Sequence, residues 1–152
     1  MRVLVQRVAS ARVEVAGHVV GAIGLGLLAF VGVAVDERAA DVEWCADKVV
    51  GLRIFRDADD HMNRSVADVG GAILSVSQFT LYGDVGRGRR PAFTRAAPPD
   101  VAERWWQHFN ARMLEAGVAV ATGRFRADMA VHLVNDGPVT IWIDSASRRT
   151  GP

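Results

Sequence analysis

Hydrolysis by nucleophilic attack calls for a Ser, Cys or Thr beside a His or Lys that takes its proton. The four histidines of the sequence, His18, His61, His108 and His132, fall beside a turn, in an acidic loop, on a helical stretch and in mid-strand, and none belongs to a motif. There is no G-x-S-x-G elbow. The single cysteine, Cys45, shares a helical face with Val42, Val49 and Leu52, so it reads as a small core residue rather than a nucleophile. No Cys or His pairs recur at zinc-ligand spacing, so neither a metal nor a cofactor is expected. Gly24-Leu25-Gly26 and Gly86-Arg87-Gly88 lack the strand-loop-helix context of a phosphate-cradling loop and read as turns.

Three polar segments remain. Ser77-Gln78-Phe79-Thr80-Leu81-Tyr82 puts hydroxyls and an amide at the end of an apolar strand. Such residues also serve simply to hydrogen-bond backbone at strand ends. Asn135-Asp136-Gly137-Pro138-Val139-Thr140 is, locally, an ordinary hairpin turn; X-Pro bonds are cis in only about one folded case in twenty, so local chemistry does not make this one cis. Arg87, Arg89, Arg90 and Arg95 cluster on a Gly-rich stretch, where they suit either phosphate contact or plain solvation.

These segments must be positioned by the elements around them. Ala11-Arg12-Val13-Glu14-Val15 alternates apolar and charged residues as a half-buried strand does, Ala16-Gly17 supplies a turn, and His18 to Ile23 returns as a hairpin partner. Leu27 to Val33 suits a strand buried on both faces. The period then changes: Asp36 stands as an N-cap and Ala39, Val42, Ala46, Val49 and Val50 predict a helix from about Glu37 to Gly51. Arg53-Ile54-Phe55 and Ile73 to Leu81 read as strands, and 83–99 as a long functional loop. Pro98-Pro99-Asp100 opens a second helix, with Glu103 placed for a capping box and Val101, Trp105, Phe109 and Met113 along one face, ending at Gly117. Met129 to Val134 and Val139 to Ile143 close the chain as two strands. Many strands and two main helices predict an α+β domain whose largely antiparallel sheet curls toward a barrel.

Half of the 152 residues are hydrophobic, enough for one core and hence one domain over 1–146, with 147–152 as a disordered tail. A net charge of +1 excludes a protein that holds nucleic acid mainly through its phosphates, so any RNA contact is local. The longest apolar run, Leu25 to Val35, is far short of the roughly 20 residues of a membrane span. With no signal-like start and one cysteine, a soluble cytoplasmic protein is expected.

Taken together, the two signature segments resemble those of the D-aminoacyl-tRNA deacylase family: S-Q-x-x-L, here Ser77-Gln78-Phe79-Thr80-Leu81, and N-x-G-P-V-T, here Asn135 to Thr140. The resemblance extends, in family order, through Gln6-Arg7-Val8, Lys48 to Phe55, Arg90-Pro91-Ala92-Phe93, Thr122-Gly123-Arg124-Phe125 and Ala127-Asp128-Met129. It implies a homodimeric enzyme, without cofactor, that hydrolyses the ester joining a D-amino acid to the 3′ end of tRNA, and glycine mischarged on tRNA(Ala) as well. Under it, Gly137-Pro138 is cis and reaches into the opposite subunit's site, where its carbonyls accept a D-substrate's ammonium group and an L side chain would strike them. Ser77, Gln78, Phe79 and Thr80 form the catalytic pocket, with Phe125 and Met129 packed nearby and backbone N–H groups around Phe79 as oxyanion donors. The 2′-hydroxyl of the terminal ribose, rather than Thr80, helps activate water. Arg87, Arg89 and Arg90 meet the acceptor stem, and neither DNA nor membrane is a partner. Two departures stand out: Arg126, where family members usually carry a small residue, and Ala92, often a Ser. Two other readings stay open, a relative that removes misacylated L-alanine and has a trans Gly-Pro, and a non-catalytic RNA-binding or dimerisation module.

Overall fold

The computed structural model of the chain describes residues 1–149. Its spine is β1 (Arg2–Val15), in which Val3, Val5 and Arg7 point to one buried side at the strand's period of two. Along one edge, the first half of β1 pairs with β3 (Gly26–Gly32) and the second half with β2 (His18–Ile23), both antiparallel. Its other edge pairs antiparallel with β8 (Ala130–Asp144) over nearly the full length. Beyond β3 the sheet continues through β6 (Ala72–Ser77) and β7 (Ala119–Thr122), both in parallel. β4 (Phe55–Arg56) and β5 (Met62–Arg64) form a separate small hairpin.

The sheet curls until β2 comes back against β7, giving the nearly closed form expected. Gly21 makes this approach possible: a Cβ there would lie 2.3 Å from the Thr122 carbonyl oxygen. The β1–β2 turn is Ala16-Gly17, with φ of +49° and +79°, the pair of positive angles a tight hairpin takes.

α1 (Ala39–Gly51) and α2 (Pro99–Glu115) cover one face of the sheet. There Val3, Val5, Leu27 and Ile73 pack with Val42, Cys45, Val49, Phe109 and Met113. β3 and β6 are buried on the other face too, through Leu28, Leu74 and Val76. Phe109 and Met113, fully buried, each contribute about 2–3 kcal/mol by leaving water.

Three local expectations are corrected. Asp36 does not cap α1; its N-cap is Arg38, without a side-chain cap bond. The acidic residue that matters here is Glu37, which accepts the Ala34 amide at 3.2 Å and the Ser145 hydroxyl at 3.1 Å and pairs with the Met1 ammonium. Likewise α2 begins after Pro98 with no capping box; Pro99, whose φ is already helical, starts it. Its buried stripe is Ala102, Trp106, Phe109, Asn110 and Met113, one step round from the Val101-Trp105 register. Gly117, at φ +83°, follows the helix end as expected.

The largest difference concerns the last two strands. They are one, β8, and 135–140 is a bulge inside it rather than a hairpin: Gln6 pairs with Thr140 and Val8 with Asn135, so four residues bow out opposite Arg7. After β8 the chain turns into the short helix α3 (Ser145–Arg149). Of the tail expected to be disordered, 147–149 thus end this helix, and 150–152 lie outside the described residues.

Candidate active site

β6 ends at Ser77, and the chain there tightens into a 3-10 turn over Phe79–Tyr82. The strand expected to run on to Leu81 stops because Gln78, whose amide still reaches the Val31 carbonyl at 2.7 Å, turns to ψ +81°. From that point the turn makes its own bonds, Leu81 N–H to the Gln78 carbonyl at 3.3 Å and Gly83 N–H to the Thr80 carbonyl at 2.9 Å. Arg2 pins it from β1, donating to the Leu81 carbonyl at 2.9 Å with its guanidinium 4.6 Å from the Tyr82 ring centre. Among the described residues the Phe79 and Thr80 amides have no backbone acceptor, as the first N–H groups of any helical turn lack one within it. Gln78 donates its side-chain amide to the Thr80 hydroxyl.

Beside this turn lies a cleft of about 630 Å³. Ser77, Gln78 and Phe79 form one wall, and Phe125 and Met129 another. The structure therefore gathers five of the expected site residues in one place. Thr80 adjoins them through its bond from Gln78 but does not line the cleft. Phe79 is 55% exposed, unusual for an aromatic ring, and meets Phe93 edge-to-face with ring centres 4.9 Å apart. Phe125 is held from behind by Trp106, at 5.9 Å. The Trp106 indole N–H in turn donates to the Ser75 hydroxyl at 2.9 Å, so helix α2 and strand β6 set that wall jointly.

Among the described residues, Arg126 is the one ionisable side chain that lines the cleft. None of the histidines lines it: His108 faces Glu43 at 3.2 Å across α1 and α2, and His132 faces Glu14 at 3.4 Å on the sheet. Cys45 is fully buried, and burial pushes its thiol up to about 12. Asp57, Asp59 and His61 come together in the β4–β5 turn. There an Asp57 oxygen already accepts the His61 and Asp59 amides at 3.0 Å, and the His61 bond leads in holding its carboxyl below the usual range. This is turn chemistry, and none of the three residues lines the cleft.

Gly137 and Pro138 do not line this cleft; both are exposed on the β8 bulge, joined by a cis peptide as the resemblance implies. The residue that fixes the bulge is one the chemistry of the sequence did not single out. Arg7, 3% exposed, donates from Nε to the Asp136 carbonyl at 2.9 Å and from Nη1 to the Ile54 carbonyl. On the other side, Asn135 accepts the Val139 amide at 2.9 Å and donates to the Thr140 hydroxyl at 3.3 Å, which Gln6 also reaches. A signal existed: positions 3, 5 and 7 share a face, and a charge in that inward register needs a partner.

The arginine loop is closed at its base by reciprocal bonds between Asp84 and Ala92, at 2.8 and 2.9 Å. Arg87, Arg89 and Arg90 are exposed at its tip, while Phe93 just beyond lines the cleft. Arg95 lies 3.8 Å from Asp36.

Comparison with known proteins shows likeness over nearly the whole chain. The family model described as D-Tyr-tRNA(Tyr) deacylase matches residues 4–144. A D-aminoacyl-tRNA deacylase of Thermotoga petrophila is 58% identical over 146 residues, 96% of this chain and 98% of that one. One of Exiguobacterium sibiricum is 57% identical over 144 residues, 95% and 99% of the two chains. Among solved structures, the c-Myc DNA Unwinding Element Binding Protein superposes with TM-score 0.89 at 36% identity, covering 95% of this chain and 98% of its own. A probable eukaryotic D-amino acid tRNA deacylase shares the fold, with TM-score 0.79 at 18% identity over 93% and 97% of the chains.

Proposed function

The chain belongs to the D-Tyr-tRNA(Tyr) deacylase family and is a hydrolase of the ester between a D-amino acid and tRNA, and from that premise we propose how its residues perform the reaction. The single observation that carries the mechanism is that, among the described residues, the cleft has no ionisable side chain lining it apart from Arg126. A protein base or nucleophile–base pair is therefore not what activates the attacking water. The 2′-hydroxyl of the terminal ribose takes that part, next to the ester it serves.

In this reading the terminal adenosine lies in the cleft against Phe79, and the scissile carbonyl faces the start of the 3-10 turn. The Phe79 and Thr80 amides, without backbone acceptors among the described residues, stabilise the oxyanion as the tetrahedral intermediate forms. Fixed backbone donors need no protonation state, and removing one such donor typically costs about 10²–10³-fold in rate. Gln78 holds the Thr80 hydroxyl and so keeps the turn in shape. Thr80 itself is not the nucleophile.

Stereoselection comes from the Gly137-Pro138 bulge of a second subunit. Its support is the exposure of this segment away from its own chain's cleft, combined with its tight internal anchoring by Arg7 and Asn135. A rigid backbone edge that protrudes is suited to fill a partner's site. Backbone carbonyls would accept the α-ammonium group of a D-amino acid and of glycine, and collide with an L side chain. Arg87, Arg89 and Arg90 reach acceptor-stem phosphates, a local contact consistent with a net charge of only +1.

The test compares D-Tyr-tRNA, L-Tyr-tRNA and Gly-tRNA, each on tRNA ending in adenosine or 2′-deoxyadenosine. Cleavage of the D and glycyl esters, but not the L ester, with loss of about 10²-fold or more on the 2′-deoxy substrates is the expected pattern. Equal cleavage of ribo and deoxy forms would discard the role of the RNA hydroxyl. Cleavage of the L ester would discard stereoselection by exclusion.

A further inference from the structure

Residues 124–127 form a turn in which the Ala127 N–H donates to the Arg124 carbonyl at 3.2 Å. Arg126 is its third residue, with φ +61°. That is the position where a turn with one positive φ takes glycine, because a Cβ is disfavoured there. Here the chain carries arginine instead, and Arg126 lines the cleft between Phe125 and Ala127.

Three observations bear on what the side chain does. Arg126 is exposed, and among the described residues it has no carboxylate or other hydrogen-bond partner. It is also, among the described residues, the one ionisable side chain lining the cleft, whose walls are otherwise apolar, amide or hydroxyl groups. An arginine wanted only for solubility would not have to occupy a conformation that favours glycine. A guanidinium beside an apolar cleft, with no internal partner, is a ready receptor for an anion.

We propose that Arg126 is a substrate-positioning residue that grips the phosphodiester on the 5′ side of the terminal adenosine. This rests on the reading of the cleft as the seat of that nucleotide. With the base against Phe79 and the ester at the 3-10 turn, the remaining charged group of the same nucleotide is its 5′ phosphate, and Arg126 is the cation the cleft presents to it. The residue acts on binding, not on the chemical step.

Deacylation of D-Tyr-tRNA by the full chain is measured for wild type, Arg126→Gly and Arg126→Lys across a salt series. The glycine variant is expected to raise KM by about tenfold with kcat little changed, since a charge-assisted hydrogen bond is lost. Its salt slope in log(kcat/KM) should flatten by about 0.7, one phosphate contact fewer on a single strand. Lysine, which keeps the charge, should recover most of the slope and part of KM. A second comparison uses the D-tyrosyl esters of adenosine and of adenosine 5′-phosphate as competitive inhibitors of the tRNA reaction. Wild type should prefer the phosphorylated ester, and Arg126→Gly should not. Glycine suits the backbone angle, so the variant's melting temperature should not fall, which separates the effect from misfolding. An unchanged KM and salt slope, or a lower KM because a bulky side chain has gone, would overturn the proposal while leaving the deacylase reading intact. If the wild type leaves D-Tyr-tRNA uncleaved, it is the reading of the cleft that fails.

Discussion

Replacing Arg7 by Met removes the guanidinium and keeps most of the apolar stem, a change that tests whether the bulge must be rigid. The Arg7 side chain is 4% exposed, and the guanidinium serves two carbonyls on different segments, Asp136 at 2.9 Å and Ile54. Its third contact, the Asp136 carboxylate at 3.4 Å, is to a half-exposed group and adds at most about 1 kcal/mol. Leaving two carbonyls without their donor costs about 1–3 kcal/mol each. Removing a buried cation returns part of this, because its desolvation no longer has to be met. A net loss of about 1–3 kcal/mol in unfolding free energy is expected, read from urea melts. The functional effect is more specific. With Arg7 gone, the bulge keeps the Asn135 side chain as an anchor, through the Val139 amide, and the edge proposed to reject L-amino acids loosens. If about 1.4–2.8 kcal/mol of that restraint is lost, the D/L ratio of kcat/KM on Tyr-tRNA falls ten- to a hundredfold. Arg7→Lys, which can serve only one of the two carbonyls well, should lie between. A variant that melts earlier yet keeps the D/L ratio within about threefold would refute the link between Arg7 and selectivity, since a ten-fold change is the least the lost bond implies.

Thr80→Ala should keep deacylation of D-Tyr-tRNA within about tenfold of wild type, whereas loss of a true nucleophile or its base would cost at least 10²–10⁴-fold; single-turnover rates distinguish the two. Gly21→Ala should destabilise by about 1–3 kcal/mol or more in urea melts, because its Cβ would sit 2.3 Å from the Thr122 carbonyl oxygen. Gly24→Ala, where a Cβ meets nothing within 4 Å, is the control and should stay within about 0.5 kcal/mol. The Cys45 thiol, pushed from 9.0 up to about 12 by burial, should resist iodoacetamide at pH 8 until the chain unfolds. Its folded pKa is the higher one, so its contribution to stability is whole below pH 9 and declines as pH rises toward 12, by up to about 1.4 kcal/mol per pH unit. Urea melts from pH 8 to 11 on wild type and Cys45→Ala should diverge accordingly.

What was legible in the chain follows from how local its causes are. Strand β3, buried on both faces, and the Val42-Ala46-Val49 core of the α1 stripe are written in apolar spacing and appear where that spacing puts them, while Ala39 ends exposed. The start of α1 was not, because Glu37 is drawn off to Met1, Ala34 and Ser145, partners near and far that no local pattern specifies. The Asn135–Thr140 segment carries the chemistry of a turn, yet β1 is long enough to pair with the chain on both sides of it, so the ladder wins and the turn becomes a bulge. In the cleft, Ser77 to Phe79, Phe125 and Met129 could be named from the resemblance. Phe93, Ala97 and Ala102 arrive through the Phe79–Phe93 ring contact, the bond of the Ala97 amide to the Val33 carbonyl and the docking of α2, long-range contacts with no signature in spacing.

Both segments proposed to act on the substrate are places where a hydrogen-bonded ladder is interrupted, and interruption frees backbone groups that could serve one. β6 breaks into a 3-10 turn and leaves the Phe79 and Thr80 amides without backbone acceptors among the described residues. β8 bows away from β1 and presents Gly137 and Pro138. Irregular backbone of this kind wanders unless it is tied, and the ties come from one strand. Arg2 of β1 holds the Leu81 carbonyl of the turn, and Arg7 of the same strand holds the Asp136 carbonyl of the bulge. The two arginines lie on opposite faces of β1, as their odd separation requires, so a single strand can brace two segments that point in different directions. Under the mechanism proposed above, a site made of backbone thereby gains the rigidity that catalytic side chains ordinarily receive from packing, and rate and selectivity need no ionisable residue at the ester.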